Sequence, residues 1–282
     1  MTTQAPTSPL VEPREGLDQQ GAAQTGTTRE SRLAARLGNA ALGLIVPAVL
    51  LLLWLTLAAN GSFSSSQLPS PGEVFAGLVE LIERGTFWSH VAITIQRVLL
   101  GFAAGASLGI IIGSIVGLSP WASRLFAPTI HAIRAVPSLA WVPVLVLWLG
   151  IYEGPKVTLV AIGAFFPVFT TVASGFQHAD RRLIEVGRAY GLRGFRLATQ
   201  VILPSAAPTI FSGLRLGLAQ SWLFVVAAEL IASSKGLGFL LIDSQNTLRT
   251  DILLLSIILL AVLGKTTDFL LSLIERRVLR WT

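Results

Sequence analysis

Apolar runs of about 20 residues recur along this chain, and nothing else in the sequence constrains its fold as tightly. Residues 40–59, 98–118, 157–176 and 209–231 are each long enough to cross a hydrocarbon core roughly 30 Å thick. Another run begins near Ile252, and one ending near Leu149 is interrupted by Pro137 and Pro143. Only 13% of the 282 residues are charged, about half of the roughly 25% usual in globular domains. In lipid a helix satisfies its own backbone groups, whereas open strands and loops do not. The expected fold is therefore an all-α membrane protein of about six transmembrane helices.

Basic residues orient the spans. Arg29, Arg32 and Arg36 precede the first run and none follows it closely; Arg276, Arg277 and Arg280 follow the last. The positive-inside bias puts both termini on the cytoplasmic side, in a multi-pass chain of the bacterial plasma membrane. The net charge of +6 thus reflects topology rather than nucleic-acid binding. Residues 1–36 are rich in Thr, Gln, Pro, Gly and Ala without apolar periodicity, and are expected to be a disordered cytoplasmic tail. Residues 37–282 form the transmembrane domain. Beyond the Gly/Ser loop after the first span, Glu73, Val74, Leu78, Leu81 and Ile82 suggest an amphipathic helix on the outer surface. Arg97, at the start of the second span, is expected to snorkel to the interface. Gly101, Gly105, Gly109, Gly113 and Gly117 form a smooth stripe suited to close helix packing, more readily than to direct solute contact.

Ionisable and aromatic residues inside the spans are the candidates for a solute path. Arg134 lies just before the two prolines of the broken third span, which runs Arg-Ala-Val-Pro-Ser-Leu-Ala-Trp-Val-Pro from 134 to 143. It either attracts an anion near the inner mouth or follows the positive-inside bias. Trp141 and Trp222 line the path, pack, or anchor at an interface. Glu229 either pairs with Arg215 or with a residue of a partner chain, or sits in a gate, or is structural. Lys265 and Asp268 lie three positions apart on one helical face, where they can pair.

Several activities lack their residues. There is no cysteine, and His90, His131 and His178 are widely separated without ligand spacing, so no metal site is expected. No Gly-x-Ser-x-Gly or His-Glu-x-x-His supports a hydrolase. The chain has no phosphate-binding loop, so no ATPase site of its own and no bound cofactor are expected. An ion-coupled secondary transporter using Lys265, Asp268 and Glu229 as relay groups is the alternative, although no inverted repeat is evident.

The polar island Glu185-Val-Gly-Arg-Ala-Tyr-Gly-Leu-Arg-Gly-Phe-Arg-Leu-Ala-Thr-Gln-Val-Ile-Leu-Pro, 185–204, lies between two apolar spans. With Arg181 and Arg182 upstream, its charge alone reads as an ordinary basic loop. Gly191 can take a left-handed conformation and turn one short helix into another, and Pro204 is expected to start the next segment. The spacing goes further. Glu185, Gly191, Val201, Leu203 and Pro204 fall where the EAA signature of ABC importer permeases has Glu, Gly, Ile, Leu and Pro; Val186 and Gly187 stand for its two alanines. The island resembles that signature. Leu-Pro-Ser-Pro at 68–71, the broken-span segment, Glu229 and Gly-Leu-Gly at 236–238 resemble the type I importer branch for sulfonates, taurine, nitrate or bicarbonate.

The resemblance implies a MetI-like fold and a permease subunit that moves a small anion, such as an aliphatic sulfonate, taurine or nitrate, by alternating access. It implies a cytoplasmic ATPase dimer that binds the ATP, an extracytoplasmic solute-binding protein, and a second permease copy, usually identical. It makes 178–204 the coupling loop, with Glu185, Val186, Gly187, Arg188, Gly191, Leu203 and Pro204 as coupling residues. The small side chains at 186 and 187 are expected to let the ATPase approach closely. Arg188, Arg193 and Arg196 pair either with acidic groups there or with anionic membrane lipid.

Overall fold

The computed structural model describes residues 45–280, apart from 62 and 65. The expected tail 1–36 and the 40–44 end of the first expected span lie outside the described residues. All regular structure among the described residues is helical. Helix α1 (Ile45–Ala59) is apolar and is a unit by itself.

The second unit begins at Phe63. Its helices are α2 (Pro71–Glu83), α3 (Phe87–Leu118), α4 (Pro120–Ala135), α5 (Val142–Leu149), α6 (Glu153–Gln177), α7 (Arg181–Ala189), α8 (Gly194–Leu197), α9 (Leu203–Ala232), α10 (Leu237–Asn246) and α11 (Thr250–Val278). Four helices are long and apolar enough to cross a membrane: α3, α6, the run Gly194–Ile231, and α11. Helix α4 and the segment Ser138–Leu149 are apolar enough only when taken together and meet at 88°, the geometry of a broken span or a re-entrant loop. Pro137 sits in that break, where its ring excludes the helical bond that would have bridged it.

Helix α6 is packed between α3 and α9 along its length. The glycine stripe of α3 explains one side. A Cβ on Gly113 would lie 2.9 Å from Val172, one on Gly117 2.7 Å from Phe176, and one on Gly105 would run into the Ala161 carbonyl. The stripe is a packing surface. On the other side Gly213 meets Thr171, and a Cβ on Gly217 would lie 2.9 Å from Val168. Val98, Val160, Leu218 and Val225 fill the core toward one end; Val168, Val172, Phe176 and Ile210 fill it toward the other.

Helix α2 starts in a capping box. The Ser70 hydroxyl accepts the Glu73 N–H at 3.3 Å, and the Glu73 carboxylate accepts the Ser70 N–H at 2.6 Å. Its buried face is Val74, Gly77 and Leu81, whereas Ile82 is exposed. Arg249, at the start of α11, ties the two helices through Glu80 at 2.6 Å and also holds Asp251 at 2.7 Å. The Arg249 guanidinium holds the Glu80 carboxyl below the usual glutamate range.

The structure corrects two boundaries. Helix α3 begins at Phe87, so Arg97 lies well inside it and is 2% exposed. It does not snorkel, because charged partners meet it in the interior. Gly236 precedes helix α10, and Gly238 lies in its first turn. Helix α9 does not start at Pro204. One continuous helix runs from Gly194, widened into a π turn over Ala198–Ile202. The Leu203 N–H reaches back to the Ala198 carbonyl. The extra residue in that turn relieves the clash a proline ring makes with the preceding turn, so the helix continues through Pro204.

Candidate functional site

Between α6 and the Gly194–Ile231 helix, the chain builds a finger. Asp180 caps α7, its carboxylate accepting the Arg182 N–H at 2.8 Å. Helix α7 ends in a Schellman motif. The Leu192 N–H donates to the Gly187 carbonyl at 3.0 Å and the Gly191 N–H to the Arg188 carbonyl at 2.9 Å. The motif needs a left-handed residue, and Gly191 supplies it at φ +82°. The turn at Gly191 is therefore closed by backbone bonds, and a second left-handed glycine, Gly194 at φ +53°, starts α8.

Gly187 lies where α7 faces the helix that follows it. It is buried, and a Cβ there would lie 2.8 Å from Leu197 and 3.0 Å from Val201. Its small size lets the two arms of the finger close on each other, and Gly187 also lines the groove between them. Glu185, Val186 and Arg188 are exposed, as is Leu203. Leu183, Val186 and Tyr190 follow helical spacing and form an outward apolar stripe; Tyr190 is 84% exposed and Phe195 83%. The stripe borders a groove of about 500 Å³ with Leu192, Val201 and Pro204 on its other wall. Arg181, Arg182, Arg188, Arg193 and Arg196 make no ion pair among the described residues. An apolar stripe ringed by unpaired cations is the composition of a docking surface for an acidic-rimmed groove.

The four solute-path candidates do not converge. Glu229 is fully buried and belongs to a charge network at the end opposite the finger. Its carboxylate accepts from Arg97 Nη1 at 2.7 Å, from the Thr94 hydroxyl at 2.8 Å and from the Gly238 N–H at 2.8 Å. Arg97 also donates to both oxygens of Glu153, at 2.6 and 2.7 Å, and to the Lys235 carbonyl at 2.7 Å. Lys156 joins Glu153 at 3.1 Å. The Thr94 hydroxyl accepts the Leu237 N–H at 2.9 Å. Glu229 therefore anchors α3 and the turn into α10. It does not pair with Arg215, which holds Asp268 at 2.9 Å; Lys265 reaches the same carboxylate at 3.5 Å.

Trp222 is buried in the core, its indole N–H donating to the Thr267 hydroxyl at 2.9 Å. Trp141 packs on Val142, Leu145 and Leu159. Arg134, itself exposed, lines a cavity of about 420 Å³ walled by the α4–α5 break, α6 and α9. Gln220 and Thr170 line it too, and reading the sequence did not single them out. Glutamine within an apolar span was the available signal. Arg97 was likewise missed as the partner of Glu229, although both lie toward the same end of their spans.

The geometry agrees with what the chain is similar to. Residues 105–280 match the family described as binding-protein-dependent transport system inner membrane component. The chain is 38% identical over 239 residues to a Bacillus subtilis (strain 168) protein named as an aliphatic sulfonates transport permease, covering 85% of this chain and 87% of that one. It is 34% identical over 239 residues to the taurine transport system permease protein of Escherichia coli (strain K12), covering 83% and 87%. A chain from an inward-facing structure of the MetNI methionine ABC transporter superposes with a TM-score of 0.57 at 20% identity, covering 72% of this chain and 98% of that one, a likeness of fold.

Proposed function

Since this chain belongs to the binding-protein-dependent transport system inner membrane component family, the permeases of ABC importers, we propose that it carries a small sulfonate-type anion inward by alternating access. The motor is a cytoplasmic ATPase dimer that docks on the finger, and an extracytoplasmic binding protein delivers the solute. Two copies of the chain form the path, with both termini and the finger on the cytoplasmic side. The coupling residues are Glu185, Val186, Arg188, Gly191, Leu203 and Pro204, with Gly187 holding the finger closed from within.

The observation that carries this reading is the finger itself. Its turn at Gly191 is closed by backbone bonds, while its outer face leaves Val186, Tyr190 and several arginines without partners among the described residues. A rigid lever with an uncovered docking face is what mechanical coupling requires. A loop that only separated two spans would need neither feature.

The test is copurification of the chain with a cassette ATPase, followed by uptake of labelled ethanesulfonate in liposomes with binding protein and ATP. ATP-dependent uptake that Gly191→Val abolishes, with the protein still in the membrane, supports the reading. Uptake that proceeds without any ATPase under an ion gradient overturns it in favour of a secondary transporter.

A further inference from the structure

The cavity at the α4–α5 break has a composition that asks for a ligand. Arg134 brings its guanidinium to this cavity and donates only to the Thr170 hydroxyl, at 3.3 Å. No carboxylate lines the cavity, and Arg134 has no counter-ion among the described residues. Arg97 and Lys156 have Glu153, and Arg215 and Lys265 have Asp268, whereas Arg124, on the same helix as Arg134, also has no ion pair among the described residues. Arg134 is exposed, so its guanidinium is open to water or to an anion entering the cavity.

The other walls supply more donors. Thr170 has spent its own proton on the Phe166 carbonyl at 2.8 Å, so its oxygen is free to steady Arg134. Gln220, half-buried on α9, and Ser138, on the broken segment, make no hydrogen bond among the described residues. Phe166 and Phe224 form the apolar remainder. Thr170 lies seven residues before the end of α6 at Gln177, or roughly 10 Å along the helix axis. Irregular backbone at that depth is tolerated where it lines a water-filled cavity. The break puts Ser138 and Arg134 at such a place.

We propose that Arg134, Gln220 and Ser138 form an anion-selecting subsite within the permease. It receives the negatively charged head of a solute that also has a short apolar part. Guanidinium and amide donors fit two oxygens of a sulfonate or carboxylate head, and the phenylalanine rings receive the alkyl portion. The subsite rests on the proposed importer function for its solute, and it gives the permease its own discrimination, beyond that of a binding protein.

The chain contains no cysteine, so Ser138→Cys places a single thiol in the cavity. The full chain in detergent is labelled with an anionic sulfonatoethyl and a cationic trimethylammonioethyl methanethiosulfonate, each rate divided by that reagent's rate with a free thiol. The anionic reagent is expected to be favoured roughly tenfold, as a nearby unit charge dictates. The preference falls to about one with Arg134→Gln and persists with Arg134→Lys, since only the former removes the charge. Ethanesulfonate should slow labelling of the Arg134-containing protein and leave the Arg134→Gln protein unaffected. If Arg134→Gln fails to fold, Gln220→Glu provides the second variant; its added carboxylate should cancel the preference. Equal normalised rates with Arg134 present, or no labelling until the protein is unfolded, overturn the subsite. The assay needs no ATPase. A clear anionic preference with no ATP-driven uptake would therefore sink the proposed motor while leaving the subsite standing.

Discussion

The two ends of the helical bundle handle charge in opposite ways. At one end Arg97 and Glu229 are almost completely buried, and each has several hydrogen-bonding partners. At the other, the finger holds five arginines without an ion pair among the described residues, beside an exposed apolar stripe. Taking a guanidinium out of water is expensive, so a buried one persists only where its partners are complete. An exposed one needs no partner to fold, and is free to be used by another molecule. The first end has its charges satisfied within the fold, and the second is the proposed docking surface. Substitutions at the two ends should therefore separate stability from transport.

The largest effect is expected at the buried end. Glu229→Gln leaves Arg97 short of a countercharge in the interior and should cost about 3–5 kcal/mol. It would be read as lost membrane expression and a lowered unfolding temperature in detergent. Removing both charges with Arg97→Met and Glu229→Met should recover much of that loss, because the half-exposed Glu153 can be hydrated. A double variant as unstable as the single one would break the comparison.

At the finger the expected pattern is reversed. Gly191→Val forces a β-branched residue to φ +82° and should cost about 1–2 kcal/mol locally, yet abolish ATP-driven uptake. Val186→Asp, exposed and without strain, should change the unfolding temperature hardly at all and still weaken ATPase copurification, since it puts a charge in the apolar stripe. A drop in unfolding temperature like that of Glu229→Gln would show that the finger is part of the fold after all.

The smallest effect is expected at Glu80. Its folded-state carboxyl lies below the ordinary range because Arg249 donates to it. A depressed value contributes stability above the unfolded-state value, and that contribution is lost as pH falls through the folded one. Glu80→Gln should flatten the acid side of the stability profile slightly and leave neutral-pH uptake unchanged. A changed solute preference in that variant would bring the α2–α11 face into the transport path.

The finger was legible because its information is local. A glycine at the right distance from Glu185, with Leu203-Pro204 beyond, spells out the cap and the turn within twenty residues. The spans were legible because apolar length is a direct consequence of the bilayer. The Arg97–Glu229 contact joins positions 132 residues apart, and a single sequence does not say which helices meet. The start of α3 was misread for the same reason: partners in the interior, not local propensity, allow Arg97 to be buried. The contact of Gly187 with the Leu197 and Val201 side chains was likewise not legible, because it depends on how the two arms of the finger fold together.

The most direct measurement compares uptake and unfolding temperature in one preparation. Wild type and Gly191→Val are each reconstituted with the ATPase and binding protein, and ATP-driven ethanesulfonate uptake is measured beside thermal unfolding of the permease. The account predicts uptake lost in the variant with unfolding shifted by only a few degrees, of the order that about 1–2 kcal/mol produces in a chain of this size. Normal uptake by Gly191→Val would contradict it, because a finger that transmits force has to hold its angle.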